Sequence, residues 1–374
     1  MTRTALLVGG TAATGRAIID ELQARGYDVT LYNRGRFNHT LDQTGLRFIT
    51  GDPHFRETIQ TDLGGCDWDV VVASYGRTRL LAEALAGRTG QFVAVGGTPV
   101  CRLGAGAPLH EDDPVADART SPVNMTGIVP KIARTEQDVL NLGKAGGFAA
   151  TIVRYPYVYG PHSLVPMEWH VIQRVRDGRR RWALAGGGLQ LTGRCAAPNA
   201  AGVIGAVLDR PDVAAGRIFH AGDRRQFTQR QWVTLIAGML GHSFEFVDIP
   251  PSVAPVGSSA IPMAGEFLFS QNAGSVADGW LEHNMALPSL AERDLGYRER
   301  VDPLDWLRRT VDYWLANPYA VPAGDVAPLG SADFDYAAED ALLGWWDTAL
   351  ADVPAFGAPI RRGHPYDHPK AASA

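Results

Sequence analysis

The chain has 374 residues, an apolar fraction of 45% and a net charge of −5. That length calls for two domains, or one large domain with an insertion, and the mildly acidic balance with no long basic run argues against a nucleic-acid partner. Cys66, Cys101 and Cys195 are far apart and give neither a metal-binding spacing nor a disulfide framework. The N-terminus enters a strand at once and no apolar run reaches membrane-spanning length, so a cytoplasmic protein with no membrane partner is expected.

The first stretch, Thr4 to Asn33, reads strand, glycine turn, helix, strand. Ala5-Leu6-Leu7-Val8 is an apolar run typical of a strand buried on both faces. Gly9-Gly10-Thr11-Ala12-Ala13-Thr14-Gly15 follows and opens a helix, which Gly26 can cap at its far end. Such a turn brings backbone amides and the positive end of a helix dipole up to a pyrophosphate. Ala12 stands where a glycine would be usual, which still permits a close approach if its φ is negative. The second strand ends Asn33-Arg34-Gly35-Arg36, with no carboxylate for ribose hydroxyls and two guanidiniums able to pair with a 2′-phosphate. NADP(H) is therefore expected in preference to NAD(H); the plainer alternative is two solvated arginines in a loop.

A third strand spans 46–50, and Asp52 beyond it either accepts from an adenine amino group or merely forms a turn. A fourth strand, 69–74, ends at Ser74 beside the expected cofactor; a helix at 78–86 and a fifth strand at 91–95 follow. A loop with Pro108, Glu111, Asp113, Pro114 and Pro122 leads to a helix holding Lys131 and Glu136, then to a sixth strand at 150–154. This alternation predicts an α/β Rossmann fold, a doubly wound parallel sheet with its ligand at the carboxyl ends of the strands. The expected division is 1–160 for the NADP-binding domain, 161–318 for a smaller α/β substrate lobe with some segments returning to the sheet, and 319–374 for a C-terminal extension. In the lobe, helices are expected over 169–176, 200–208, 228–240 and 304–316, with strands at 182–184 and 217–220. A further helix is expected over 337–350. Arg179-Arg180-Arg181 is read as a solvated helix end.

These pieces resemble the extended short-chain dehydrogenase/reductase superfamily of the NAD-dependent epimerase/dehydratase type, from Thr4 to Pro318. The likeness is carried by Gly9 to Gly15, by Arg154-Tyr155-Pro156-Tyr157-Val158-Tyr159-Gly160-Pro161, and by Asp294-Leu295-Gly296-Tyr297. Gly-Gly-Thr with Asn-Arg-Gly also looks like the branch with RNA-binding chloroplast relatives, a role the acidic balance opposes. The resemblance implies a Tyr-x-x-x-Lys pair in which the Lys holds the ribose and lowers the phenol pKa. Lys131 takes the Lys position, which puts Gly127 at the Tyr position. The helping Ser or Thr falls at Gly97, with Thr98 adjacent. The one literal match, Tyr366 to Lys370, contains Pro369 and does not suit a helix. Tyr155, Tyr157, Tyr159, Tyr75 and His110 remain as substitute acids.

The sites so nominated are Lys131, Tyr157 and Thr98 for catalysis. Gly9, Thr11, Ala12, Ala13, Thr14, Gly15, Asn33, Arg34, Arg36, Asp52, Ser74, Lys131 and Tyr155 are nominated for the cofactor. The expected function is an NADP(H)-dependent reductase of a small organic, secondary-metabolite-like substrate. The alternatives are a nucleotide-dependent epimerase, isomerase or dehydratase, and a non-catalytic NADP sensor. The resemblance further implies a homodimer, paired through Leu80, Leu81, Leu85, Val139 and Leu140. Trp169, His170 and Arg194 are offered as pocket residues for a ligand more apolar than a sugar nucleotide.

Overall fold

The computed structural model describes residues 3–101, 106–115, 128–250, 253, 283, 285–320, 334–354 and 357. The first half runs β1 (Arg3–Val8), α1 (Ala13–Ala24), β2 (Tyr27–Asn33), β3 (Leu46–Thr50), α2 (Arg56–Leu63), β4 (Trp68–Ala73), α3 (Thr78–Ala84), β5 (Thr89–Gly97), α4 (Val129–Gly146) and β6 (Ala149–Tyr155). The second half continues with β7 (Tyr157–Tyr159), α5 (Met167–Arg176), β8 (Arg181–Ala185), β9 (Arg194–Ala196), α6 (Ala197–Asp209), α7 (Pro211–Ala214), β10 (Ile218–His220), α8 (Gln229–Met239) and β11 (Glu245–Ile249). It closes with α9 (Ser289–Leu295), α10 (Pro303–Ala316) and α11 (Tyr336–Ala351).

The main sheet has seven parallel strands in the order β10-β6-β5-β4-β1-β2-β3. Strand order reverses between β1 and β4, the switch point at which a doubly wound sheet opens a crevice. Period-2 alternation divides the strand side chains between two cores. Ala5, Leu7, Val29, Leu31 and Val72 face α1 and α6, while Leu6, Val8, Val71, Phe92 and Ile152 face α2, α3 and α4. Burial on both faces explains why the strands read as near-continuous apolar runs. β10, from the second half of the chain, pairs with β6 at the edge of the main sheet.

A separate aromatic-rich core, including Trp182, Trp232, Leu307, Val311 and Trp314, holds the smaller lobe together. Its helix α10 buries Leu307, Val311 and Trp314 and leaves Leu304 half-buried, and Asp302 caps it by accepting from the amides of Leu304 and Asp305. β8 and β11 form a parallel pair on which α11 packs through Leu343. The fully buried Arg174 guanidinium reaches Glu339 of α11 at 2.7 Å. Arg179 and Arg181 also bind α11, through Asp340 and Asp347 respectively. Arg179 and Arg181 therefore anchor the terminal helix, while Arg180 between them is exposed.

The apolar residues nominated for a dimer face are already used inside one chain. Leu81, Leu85, Val139 and Leu140 are buried in the core under α3 and α4, and Leu80 packs against it. The outward surface of these helices carries Arg79, Glu83 and Asp138, joined in ion pairs. Gly127 and the Tyr366 to Lys370 stretch lie outside the described residues.

Candidate active site

β1 delivers the chain to the crevice, and Gly9 and Gly10 turn it with φ of 107° and 97°. L-residues rarely adopt these angles. A Cβ on Gly10 would run into Leu31, and one on Gly15 into the backbone of Gly10. These glycines are thus demanded by close packing of turn, strand and helix. Ala12 has φ of −87°, the negative value that the substitution requires, and it offers no side-chain cap to α1. The first-turn amides of α1 are consequently not met by a capping side chain, the condition under which a helix N-terminus takes up an anion.

Two cavities flank this turn. One, of about 440 Å³, is lined by Gly9, Gly10, Thr11, Ala12, Thr14, Gly15, Asn33, Arg34, Arg36, Ser74, Tyr75 and Tyr155. The other, of about 400 Å³, continues past Ala12, Ala13 and Thr14 to Val95, Gly97, Tyr155, Tyr157 and Met167. Most of the nominated cofactor residues therefore do converge. Their roles differ, however. Asn33 donates to the Gly9 carbonyl at 2.9 Å and accepts from the Gly35 amide at 2.7 Å, so its side chain braces the turn. Ser74 likewise donates to the Val8 carbonyl at 2.8 Å. Arg34 and Arg36 are exposed at the rim, and among the described residues neither is in an ion pair. Arg34 lies 5.6 Å from the Tyr75 ring centroid. Asp52 is not in the lining; it binds His54 Nδ1 at 2.7 Å, and that bond holds its carboxyl below the usual range.

The catalytic nominations fare less well. The Tyr157 hydroxyl lies 3.0 Å from the Val165 carbonyl and 3.2 Å from Glu168 Oε2, and it accepts from the Met167 amide. Burial raises this phenol well above its ordinary pKa. Tyr157 lines the second cavity, but its hydroxyl is engaged by Val165, Met167 and Glu168, an arrangement that does not favour the proton-donor role expected of it. Tyr155 donates to the Ala200 carbonyl and Tyr159 lies against Asp223 and Pro303, so all three phenols belong to the scaffold. Thr98 is 1% exposed and lines neither cavity. His110 is exposed and its backbone is bound to Asp113. Lys131 is exposed on α4 and lines a third cavity, which meets the second along Val95, Gly96 and Gly97. Trp169, His170 and Arg194 are buried in the smaller lobe and line none of these cavities.

Sequence reasoning missed a buried polar cluster at the carboxyl ends of β6 and β10. Arg154 binds Glu136 at 2.8 Å, with Cys101 Sγ 3.6 Å and the Glu111 carbonyl 3.5 Å away. The Glu136 carboxylate lies over Gly96, where a Cβ would collide with it. His220 Nε2 sits 3.7 Å from Cys101, and its amide donates to Glu111. Burial and Arg154 push His220 down to about 3, and burial pushes Cys101 up to about 11. Only an acidic residue on one helix and an arginine ending the next strand could have signalled it.

A strap from Gly160 to Val165 crosses the glycine turn. His162, at φ of 63°, offers its carbonyl to the Ala13 amide at 3.3 Å. Its ring meets the Tyr313 hydroxyl at 3.0 Å, and the Tyr319 hydroxyl donates to the Leu164 carbonyl at 3.1 Å. Leu164, 64% exposed, lines both flanking cavities.

No protein-family model matches the chain, and no curated protein matches it. Solved structures do. The dTDP-glucose 4,6-dehydratase of Bacillus anthracis, in complex with NAD, has a TM-score of 0.64 at 15% identity, covering 84% of this chain and 97% of that one. The UDP-glucuronic acid 4-epimerase of Bacillus cereus, in complex with UDP-glucuronic acid and NAD, gives 0.61 at 18%, covering 84% and 99%. A putative epimerase from Burkholderia cenocepacia gives 0.64 at 16%, with the same coverage. At these identities the likeness is one of fold, and it runs the length of the neighbours.

Proposed function

We propose that this chain is a nicotinamide-dinucleotide-dependent enzyme of the epimerase or dehydratase type, whose reaction is redox-neutral overall. The residues present suit a dinucleotide. The glycine cradle and the N-terminus of α1, which no side chain caps, suit its diphosphate, Arg34 and Arg36 suit a 2′-phosphate, and the apolar cavity beside Val95, Gly97 and Tyr155 suits its nicotinamide. When bound, such a cofactor accepts and returns hydride. The observation that carries the redox-neutral reading is the strap, whose hydrogen bonds to α1, Tyr313 and Tyr319 fix it beside the glycine turn and favour a retained cofactor. Fold likeness to epimerases and dehydratases supports the same reading.

A second reading, an NADPH-dependent reductase, is favoured by Arg34 and Arg36, neither in an ion pair among the described residues, and by the commitment of the Tyr155, Tyr157 and Tyr159 hydroxyls to the scaffold. A substrate that needs no strong acid at the reacting centre, such as a conjugated alkene or an iminium, would suit that cavity. Acid release of nucleotide from freshly purified protein, followed by chromatography, separates the readings. Near-stoichiometric bound nucleotide supports the redox-neutral enzyme. Nucleotide-free protein that exchanges NADPH rapidly overturns it in favour of the reductase, and failure to bind either dinucleotide overturns both.

A further inference from the structure

The third cavity, of about 680 Å³, lies between α3 and α4 on the opposite side of Val95-Gly96-Gly97 from the glycine turn. Its floor is apolar, formed by Ala94, Ile152 and Val139, and Ile128 and Ile132 extend the apolar wall to the surface. The one acid in the lining, Glu136, is neutralised by the buried Arg154. The rim is cationic. Arg79 is offset by Glu83 and Asp138, each 3.4 Å away. Arg77 and Lys131 are both exposed, and among the described residues neither has a carboxylate partner. A deep apolar hollow with uncompensated positive charge only at its mouth selects a molecule of matching polarity: an apolar body is desolvated inside while one anionic end meets the two cations.

We infer that this cavity binds a small amphipathic monoanion, an aryl or acyl carboxylate or its sulfonate equivalent, with its charge at Arg77 and Lys131 and its apolar body over Gly96. This names the charge and polarity of the substrate for the proposed function, and rests on that reading for the placing of a hydroxyl-bearing, reacting carbon at Gly97, where this cavity meets the second one.

The test uses the full chain without dinucleotide and two naphthyl probes of similar size. One is anionic, 1-anilinonaphthalene-8-sulfonate, and the other is neutral, N-phenyl-1-naphthylamine. Both are titrated by fluorescence against the wild type, Arg77→Ala, Lys131→Ala and the double variant. Because both side chains are exposed, these changes leave the core untouched. The anionic probe is expected to weaken about tenfold on loss of each cation, with the neutral probe unchanged. A filling change, Ile132→Trp, is expected to weaken both probes. Unchanged anion affinity in the double variant, or equal weakening of the neutral probe, overturns the proposal. Displacement of the anion by NADPH or NADH alone also overturns it, assigning the cavity to the cofactor. If charge-dependent anion binding persists and neither dinucleotide binds, the proposed function fails while this site stands.

Discussion

Replacing Glu168 with Gln probes the packing of the smaller lobe through its pH dependence. Glu168 is fully buried in the first turn of α5, with Oε2 beside the Tyr157 hydroxyl that anchors the same helix. Burial raises its carboxyl from an ordinary 4.5 to about 7. The native state therefore keeps a proton that the unfolded chain releases, and between these values native protein binds more protons than unfolded. Stability from this group is complete below about pH 4.5 and is lost as pH rises towards 7. The whole shift corresponds to about 3.4 kcal/mol, of which about 2.5 kcal/mol falls between pH 5 and pH 8. Gln cannot titrate and keeps an acceptor for Tyr157. Urea unfolding followed by tryptophan fluorescence, with Trp169, Trp182 and Trp232 all buried in this lobe, measures both proteins at each pH. The variant should gain about 2.5 kcal/mol relative to wild type on moving from pH 5 to pH 8. Asp223, also raised by burial, is present in both proteins and cancels. A variant-minus-wild-type difference that is the same at both pH values would refute the reasoning, because it would mean that the native carboxyl is already ionised at pH 5.

Gly15→Ala places a Cβ against the Gly10 backbone; it should destabilise the fold by about 1–3 kcal/mol in urea and abolish dinucleotide binding by calorimetry. NADPH should bind at least about tenfold more tightly than NADH, and Arg34→Ala with Arg36→Ala should erase that preference in fluorescence titrations. Glu339→Ala strands the Arg174 charge in the smaller lobe and should cost about 3–5 kcal/mol. Hydrogen exchange should then show α11 opening first, and unchanged protection of residues 336–351 would count against its role as an anchored element.

The sequence by itself determined the doubly wound sheet and the place of the crevice at its switch point. A strand buried on both faces must be apolar throughout, and a chain turning from strand to helix beside another strand has room only for glycine at Gly10 and Gly15. These are local constraints, so they are written locally. Short or weakly patterned pieces were not legible: α2 buries only Ile59 and Leu63, and β7 and β9 span three residues each. What only tertiary structure decided is where each polar group spends its hydrogen bonds. Tyr157 reads as a proton donor until Val165, Met167 and Glu168 are seen around its hydroxyl. Leu81 and Val139 read as a subunit face until the sheet is found beneath them, and Arg179 and Arg181 read as solvated until α11 arrives from far along the chain. The Glu136 and Arg154 pair closes over Gly96 for the same reason: burial makes a charge seek its partner through space, and the distance between them in sequence leaves no mark on either residue.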